Sequence, residues 1–226
     1  LPQLEELIAA QPVFRQIDPS KRVKIIRSAV RKDYKKGELI ALRGHQWHGA
    51  MLIESGLVGC VKDHSENRTL CCRVLHRHDM YWGHSIFDDN PLLFHLEVIK
   101  STRAYLWDAN DILPILKENP AALWDLCQHV ISLTRMACVK LELLALKTVP
   151  CRVAELLVQR FAFSCRGSFE RDLTLEEIAA MVGSKPPVVS RILHELADQG
   201  LIEVTRTRVT VLDLDRLIDV SNEFDR

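Results

Sequence analysis

The segment Asp172–Arg208, DLTLEEIAAMVGSKPPVVSRILHELADQGLIEVTRTR, constrains the fold more than any other part of the chain. Thr174 and Glu177 have the spacing of a capping box, so a helix begins there. Ile178, Ala179 and Val182 place small and apolar groups on one face of it. Gly183 falls where that helix must stop and reverse, and glycine enters the left-handed region without strain. Ser184 then reads as the cap of a second helix, with Pro186 and Pro187 in its first turn, where backbone N–H groups lack helical partners. Val189, Ile192, Leu193 and Leu196 give this helix a buried face. Lys185, Val188, Ser190, Arg191 and His194 lie on or near its open side. The residues after Gly200 read as a β-hairpin. A helix whose open N-terminal half is cationic and polar suits the DNA major groove. The segment therefore predicts a DNA-binding protein rather than an enzyme.

The bulk numbers agree with a globular chain. Its 226 residues allow one or two domains, and 47% hydrophobic residues suffice for real cores. No apolar run reaches the length of a membrane span and no signal peptide is visible, so the expected compartment is the cytoplasm. The chain opens on Leu1, which is consistent with a trimmed start. The formal net charge of zero runs against the usual basic excess of nucleic-acid binders. Lys185, Arg191, Arg206 and Arg208 must then concentrate positive charge locally, and Glu195, Asp198 and Glu203 must face elsewhere. The seven cysteines are scattered, with no CxxC, and read as reduced thiols rather than a zinc or disulfide framework.

Three regions are expected. Residues 1–120 form the first. Leu4–Val30 reads as one or two short helices split by Pro12 and Pro19. Lys36-Gly37-Glu38 and Arg43-Gly44 mark turns. Ala50–Lys62 reads as two strands around a Ser55-Gly56 turn, Ser65-Glu66-Asn67 as another turn, and Thr69–Leu75 and Glu97–Trp107 as further strands. Short strands at this spacing suggest an antiparallel sandwich or roll. Residues 121–147 form a long helix without Gly or Pro. Leu123, Val130, Ala137 and Leu144 recur every seven residues there, with Leu126 and Leu133 in d-like positions, which predicts a dimer seam. Residues 148–226 hold a helix over Arg152–Cys165 and the DNA-binding module.

This arrangement resembles the cyclic-AMP receptor / fumarate–nitrate regulator (Crp/Fnr) family of bacterial transcription regulators. The match rests on Gly37-Glu38, Gly44, Ser55-Gly56, Asp111…Asn119-Pro120, the Leu175-Glu-Glu-Ile-Ala…Val182-Gly183 helix and turn, Ser190-Arg191-Ile192-Leu193…Leu196, and Gly200-Leu201-Ile202. The resemblance implies an α+β fold. It would comprise an N-terminal antiparallel β-roll (cupin-like, cyclic-nucleotide-binding-like), a long dimerisation helix and a C-terminal winged helix-turn-helix. It also implies a cytoplasmic homodimer, an activator, that binds double-stranded inverted repeats with half-sites about one helical turn apart. RNA polymerase is the further partner the family implies, and an effector or redox signal in the roll controls binding. Arg191 matches the family's base-reading arginine, and arginine pairs bidentately with guanine. The family's other base readers fall at Pro186 and Pro187, which have no donor or acceptor to offer. Lys185, Val188 and Ser190 are then the remaining base contacts, and Thr174, Ser184, Arg206 and Arg208 the phosphate contacts.

The effector is the open question. Nucleotide-binding members carry Gly-Glu and then Arg-Ser/Thr-Ala; here Gly83-His84 and Pro91-Leu-Leu-Phe-His-Leu-Glu97 stand instead, so cyclic AMP is not expected. Iron–sulfur is not expected either, because the first 59 residues contain no cysteine. Seven of nine histidines lie between His45 and His95. Among them His84 resembles the haem-ligating histidine of the family's carbon-monoxide sensor, so a haem-based gas sensor is the alternative. Tyr81, Trp82 and His84 are the candidate effector residues, with Phe87 and Leu93 as further lining of a small apolar pocket. His76-x-His78 hints at a cupin-like metal protein but lacks the rest of a triad, so no metal site is assigned.

Overall fold

A computed structural model describes residues 2–64, 68–162 and 168–222. The chain divides into two compact units, one of residues 1–62 and 73–136, the other of residues 63–72 and 137–226. The division runs through the long helix and assigns the tip of one β-hairpin to the second unit.

The first unit opens with α1 (Pro2–Ala10), α2 (Pro12–Arg15) and α3 (Pro19–Ser28), three helices where the prolines suggested one or two. Pro12 and Pro19 each occupy the first turn of a new helix, and Asp18 caps α3 by accepting from the Ser20 N–H at 2.8 Å. The strands β1 (Val30–Tyr34), β2 (Leu39–Ala41), β3 (Gly49–His64), β4 (Arg68–Leu75), β5 (Met80–Trp82) and β6 (His95–Asp108) build one sheet. Its order is β1-β6-β3-β4, with β2 on β6 and β5 on β3. The short helix α4 (Ser85–Asp88) joins β5 to the approach of β6. α5 (Ala109–Lys117) follows β6 and was not anticipated. Pro114 within it obscures the helical pattern, while Asp108 caps it by accepting from the Asn110 N–H at 2.8 Å.

Side chains of β3 alternate between two cores. Ala50 and Leu52 join the helical core with Phe14, Trp82 and Trp107, whereas Met51, Ile53, Val58 and Cys60 face the interior of the roll. The expected turn at Ser55-Gly56 is absent, because β3 runs straight through it. The register against β6 shifts between Ile53 and Val58, and Gly56 sits there at φ +97°. A bulge uses glycine for the same reason a turn does. A Cβ on Gly56 would lie 2.4 Å from both the Ser101 carbonyl and the Thr102 hydroxyl. The turn assigned to Ser65-Glu66-Asn67 lies outside the described residues.

Two further helices, α6 (Pro120–Leu146) and α7 (Val149–Ala162), lead into the second unit. It continues with β7 (Ser168–Glu170), α8 (Leu175–Val182), α9 (Pro186–Asp198), β8 (Ile202–Val204), β9 (Arg208–Val211) and α10 (Leu214–Asn222). The small sheet runs β7-β9-β8, and Val153, Ala154, Leu157, Val182, Val189 and Ile192 lie at the centre of the core beneath it.

One half-buried group in the first unit makes its stability pH-dependent. Burial holds the His129 imidazole below its ordinary value of 6.5. The Arg73 charge acts in the same direction, and the Asp79 charge and a hydrogen bond to the Met80 backbone act against it. The unfolded chain then binds a proton that the folded chain refuses, so stability falls as pH drops below about 6.5 and levels out below the depressed folded value. Replacing His129 by Gln should flatten this acid limb; melting curves of both proteins between about pH 5 and 7.5 provide the check.

Candidate nucleic-acid interface

The capping box at Thr174 forms as its spacing requires. The Thr174 hydroxyl accepts from the Glu177 N–H at 3.2 Å, and the Glu177 carboxylate accepts from the Thr174 N–H at 2.7 Å. Gly183 ends α8 at φ +65°, with its N–H donating to the Ala179 carbonyl. The Ser184 N–H donates to the same carbonyl at 2.8 Å. Ser184 is therefore part of the turn and not the cap of α9. Lys185 is the N-cap, with ψ near 145° and no side-chain capping bond. The proline that follows forces this extended shape, which moves the boundary by one residue.

On α9, Val189, Ile192, Leu193 and Leu196 are buried as the periodicity demands. Lys185, Pro187, Arg191 and His194 are exposed, with Ser184, Val188 and Ser190 half-buried. Val188 also packs against the unit's core, which leaves only part of it for a thymine methyl. The Arg191 side chain is 72% exposed and its Nε lies 3.5 Å from Glu195 Oε1. An exposed pair of this kind contributes about 0–1 kcal/mol, so the guanidinium can leave it for a base edge. His194 Nδ1 lies 2.7 Å from the Ser190 carbonyl. With Nδ1–H donating, Nε2 is left as an acceptor facing outward. His194 joins the candidate contacts, and its place one turn beyond Arg191 was already readable in the sequence.

The wing is the β8–β9 hairpin. Arg206 stands exposed at its turn. Arg208 lies on β9 and donates to the Ser168 hydroxyl at 2.9 Å, so its guanidinium braces β7 as well as facing solvent. Arg171, which sequence reasoning passed over, donates to the Thr205 carbonyl at 3.2 Å while its N–H reaches the Thr207 carbonyl at 2.8 Å. No local pattern announces that role, because the partners come from a distant hairpin. Arg160 pairs with Asp172 and lies over the Phe169 ring at 5.1 Å, fixing the approach to α8.

The residues of the expected dimer seam differ in exposure. Leu126 is buried in the first unit's own core, and Leu123 packs against that core. Leu133 and Leu144 are half-buried, and Val130 and Ala137 are exposed. The exposed frame is instead Trp124, Cys127, Ile131, Thr134, Cys138 and Leu141, in alternating steps of three and four. Trp124, Ile131 and Leu141 are 66%, 55% and 67% exposed, the mark of a stripe without a partner inside one chain. Both frames carry apolar residues, so periodicity alone did not separate the core-facing series from the outward one.

In the roll, the three candidate effector residues do not share a face. Trp82 turns into the helical core, with ring contacts to Phe14 and Phe87. Tyr81 turns into the roll, stacked on Trp47 at 5.7 Å, with Phe94 at 6.3 Å and His84 at 6.1 Å. Alternation along β5 enforces this separation. Phe87 and Leu93 are exposed rather than lining a pocket. The Tyr81 hydroxyl is buried and has no hydrogen-bond partner among the described residues. Burial pushes its pKa well up, so it remains a phenol and a donor. The rings of Tyr81, His84 and Phe94 already touch at contact spacing, which leaves no slot between them for a porphyrin. A haem on His84 does not fit this arrangement. His76 and His78 lie on the β4–β5 turn, where the His76 N–H donates to the Asp79 carboxylate at 2.8 Å and His78 adopts φ +73°.

A profile of the Crp-like helix-turn-helix domain matches residues 151–220, the unit just described. Over nearly the whole chain, similarity extends to a CRP-like cAMP-activated global transcriptional regulator of Mycobacterium tuberculosis, 26% identical over 219 residues, which cover 95% of this chain and 98% of that one. Over nearly its whole length the chain is thus similar to Crp/Fnr-type regulators, and the family model covers its C-terminal residues 151–220. A cyclic AMP receptor protein of Thermus thermophilus is 22% identical over 93% of this chain and 96% of its own length. Among solved structures, a Crp/Fnr-family regulator from Eubacterium rectale aligns with a TM-score of 0.80 at 21% identity, covering 94% of this chain and 98% of that one. FixK2 from Bradyrhizobium japonicum aligns at 0.77 with 20% identity, covering 86% and 98%. The chain thus carries a Crp-like helix-turn-helix domain, and these relatives are transcription regulators. No helix among the described residues is long and apolar enough to cross a membrane.

Replacing Thr174 by Ala removes the hydroxyl that accepts from the first turn of α8. Loss of such a cap costs about 1 kcal/mol, within a range of about 0.5–2. Denaturant unfolding of the variant should show that loss with an unchanged slope.

Proposed function

We propose that this Crp/Fnr regulator acts as a homodimer that reads an inverted repeat in double-stranded DNA, with α9 of each subunit in a major groove and the β8–β9 wing on the backbone. The observation that carries this reading is the exposed N-terminal half of α9. It presents Lys185, Ser190, Arg191 and His194 over a fully apolar underside. Arg191 takes the base-reading role, with guanine O6 and N7 as its natural partner. Ser184, Thr174 and Arg206 hold phosphates, and Arg208 shares that task with its bond to Ser168. Pro186 and Pro187 form no hydrogen bonds through their side chains, so the half-site differs from one read by three polar residues. The exposed stripe of α6 supplies the pairing surface. RNA polymerase is the partner through which a bound dimer would activate transcription.

The effector is an uncharged planar molecule seated in the roll. Tyr81 offers a buried donor with nothing to receive it, walled by Trp47, His84 and Phe94. Residues 83–95 contain neither lysine nor arginine, so that segment offers a cyclic phosphate no full cation of its own. Gly83 is required for packing in any case, since a Cβ there would lie 2.5 Å from the Trp47 carbonyl. The regulators named for cyclic AMP above would then differ from this one in their signal and not in their DNA-binding architecture.

Two measurements test these assignments. Arg191→Ala should weaken specific binding by about 1–3 kcal/mol and relax one position of each half-site, while Lys185→Ala should weaken binding with little change in preference. A base-resolved binding assay decides it, and unchanged specificity in the Arg191 variant would remove that residue's role. For the effector, ligands that stabilise the wild type should raise its melting temperature more than that of Tyr81→Phe, which lacks the donor. A Soret band after addition of haem, lost in His84→Ala, would instead establish haem.

A further inference from the structure

The outward frame of α6 carries two thiols, Cys127 and Cys138, both exposed. They lie eleven residues apart. That is about 16 Å along a helix, too far for a bond within one subunit. Each sits at an a- or d-type position, with Trp124 and Ile131 flanking the first and Thr134 and Leu141 flanking the second. The one polar group in this frame is satisfied locally, because the Thr134 hydroxyl donates to the Val130 carbonyl at 3.0 Å. The frame is therefore free to close as an apolar seam.

We propose that in the dimer Cys127 meets Cys127 of the second copy and Cys138 meets its own copy, forming thiol pairs that a hydroperoxide closes into disulfides. This rests on the reading that α6 pairs two copies. The helices must run parallel, because the DNA-binding module follows the C-terminal end of α6 and both modules have to reach adjacent half-sites. In a parallel, in-register pair, every a or d residue faces its own copy across the two-fold axis. Helix axes about 8–10 Å apart, with Cα atoms on cylinders of about 2.3 Å radius, leave facing Cα atoms about 3.4–5.4 Å apart, and the wider part of that range admits a disulfide. A disulfide needs about 4.4–6.8 Å. An antiparallel pair would instead bring Cys127 opposite Cys138.

The chemistry is a two-electron oxidation for each link. One thiolate attacks hydrogen peroxide, the O–O bond breaks, and a sulfenic acid forms as hydroxide leaves. The facing thiol then displaces the sulfenic oxygen, which departs as water, and the S–S bond forms. Two thiols have lost two electrons and two protons, and one peroxide has become two waters. Among the described residues Cys60, Cys71 and Cys151 are buried, while Cys72 is exposed on β4 and is the competing surface thiol.

The test uses the full chain. Sedimentation first establishes whether the reduced protein is a dimer. Hydrogen peroxide is then added, and covalent species are resolved on non-reducing gels and mapped by mass spectrometry. The expected result is a covalent dimer carrying Cys127–Cys127 and Cys138–Cys138 links, reversed by thiol reductant. The same product should form from Cys72→Ser and should be lost from the doubly substituted Cys127→Ser, Cys138→Ser protein, which still sediments as a dimer. A sedimenting dimer that forms no such links, or one linked Cys127 to Cys138, overturns the thiol pairing and leaves the homodimer reading standing. A monomer under all conditions overturns the homodimer reading itself. The wild-type link map needs no variant, so a variant that fails to fold does not obscure the outcome.

Discussion

The reversal at Gly183 is the constraint on which the DNA-binding unit depends. Only a left-handed residue takes α8 into α9 so tightly, and a side chain there would have to displace Leu144. A Cβ there would lie 2.7 Å from Leu144 Cδ2 on α6. The end of α8 is held from the same side, because Lys140 of α6 donates to the Met181 carbonyl. That carbonyl belongs to the last turn of a helix, where acceptors lack partners and a nearby cation is favoured. Burial lowers the Lys140 pKa, so the bond is made in a dry setting. The last turns of α6 therefore meet the end of α8 and the turn that follows it. Lys147 adds to this by donating to Glu155 at 2.9 Å and to the Ser221 carbonyl at 2.8 Å.

A protein with no net charge can still attract a polyanion if its charges are sorted. Here Lys185, Arg191 and Arg206 stand exposed on the side that α9 and the wing present. Acidic groups nearby are partly neutralised, with Asp172 paired to Arg160 and Glu177 accepting within its capping box. Glu195 remains beside Arg191, and it favours the wrong phosphate as little as it favours the right base. A surface with so few cations would hold a polyanion weakly without sequence match, and salt would weaken it further.

The helix-turn-helix was the most legible part of the chain because its signals are local. A capping box, a glycine stop and a 3.6-residue repeat each act within a few residues, so Thr174, Gly183 and the Val189–Leu196 face could be placed correctly. Ser184 was misplaced by one position because both Ser184 and Lys185 precede the prolines, and serine is the better cap on propensity alone. The roll was legible as antiparallel strands but not in detail. Gly56 signals a backbone at positive φ, and only the partner strand decides whether that backbone turns or bulges. α5 was hidden by Pro114 and α10 by its short length. Periodicity left the faces of α6 open: apolar residues cover most of its circumference, and in the first unit the inward stripe is set by Phe14, Ile112 and Leu116, which come from outside the helix.

The treatment of buried polar groups separates what the roll needs for folding from what it keeps for binding. Glu54 is only 3% exposed, and a lone carboxylate there would be strongly unfavourable. Arg31 donates to it at 3.0 Å and 3.3 Å, and Arg103 lies 3.6 Å away while holding Asp33 at 2.7 Å. This network ties β1, β3 and β6 together and leaves the carboxylate fully satisfied. A few strands away, the Tyr81 hydroxyl is left with nothing among the described residues, although a serine or a backbone carbonyl would have sufficed. Trp82 also has a buried indole N–H without a partner, but it lies among aliphatic and aromatic core side chains on the other face of β5. Tyr81 differs because Trp47, His84 and Phe94 around it are all half-exposed, which gives the site an approach from solvent. An unmet donor beside half-exposed rings is the kind of group that a proposed effector could satisfy, which a satisfied network such as that of Glu54 could not.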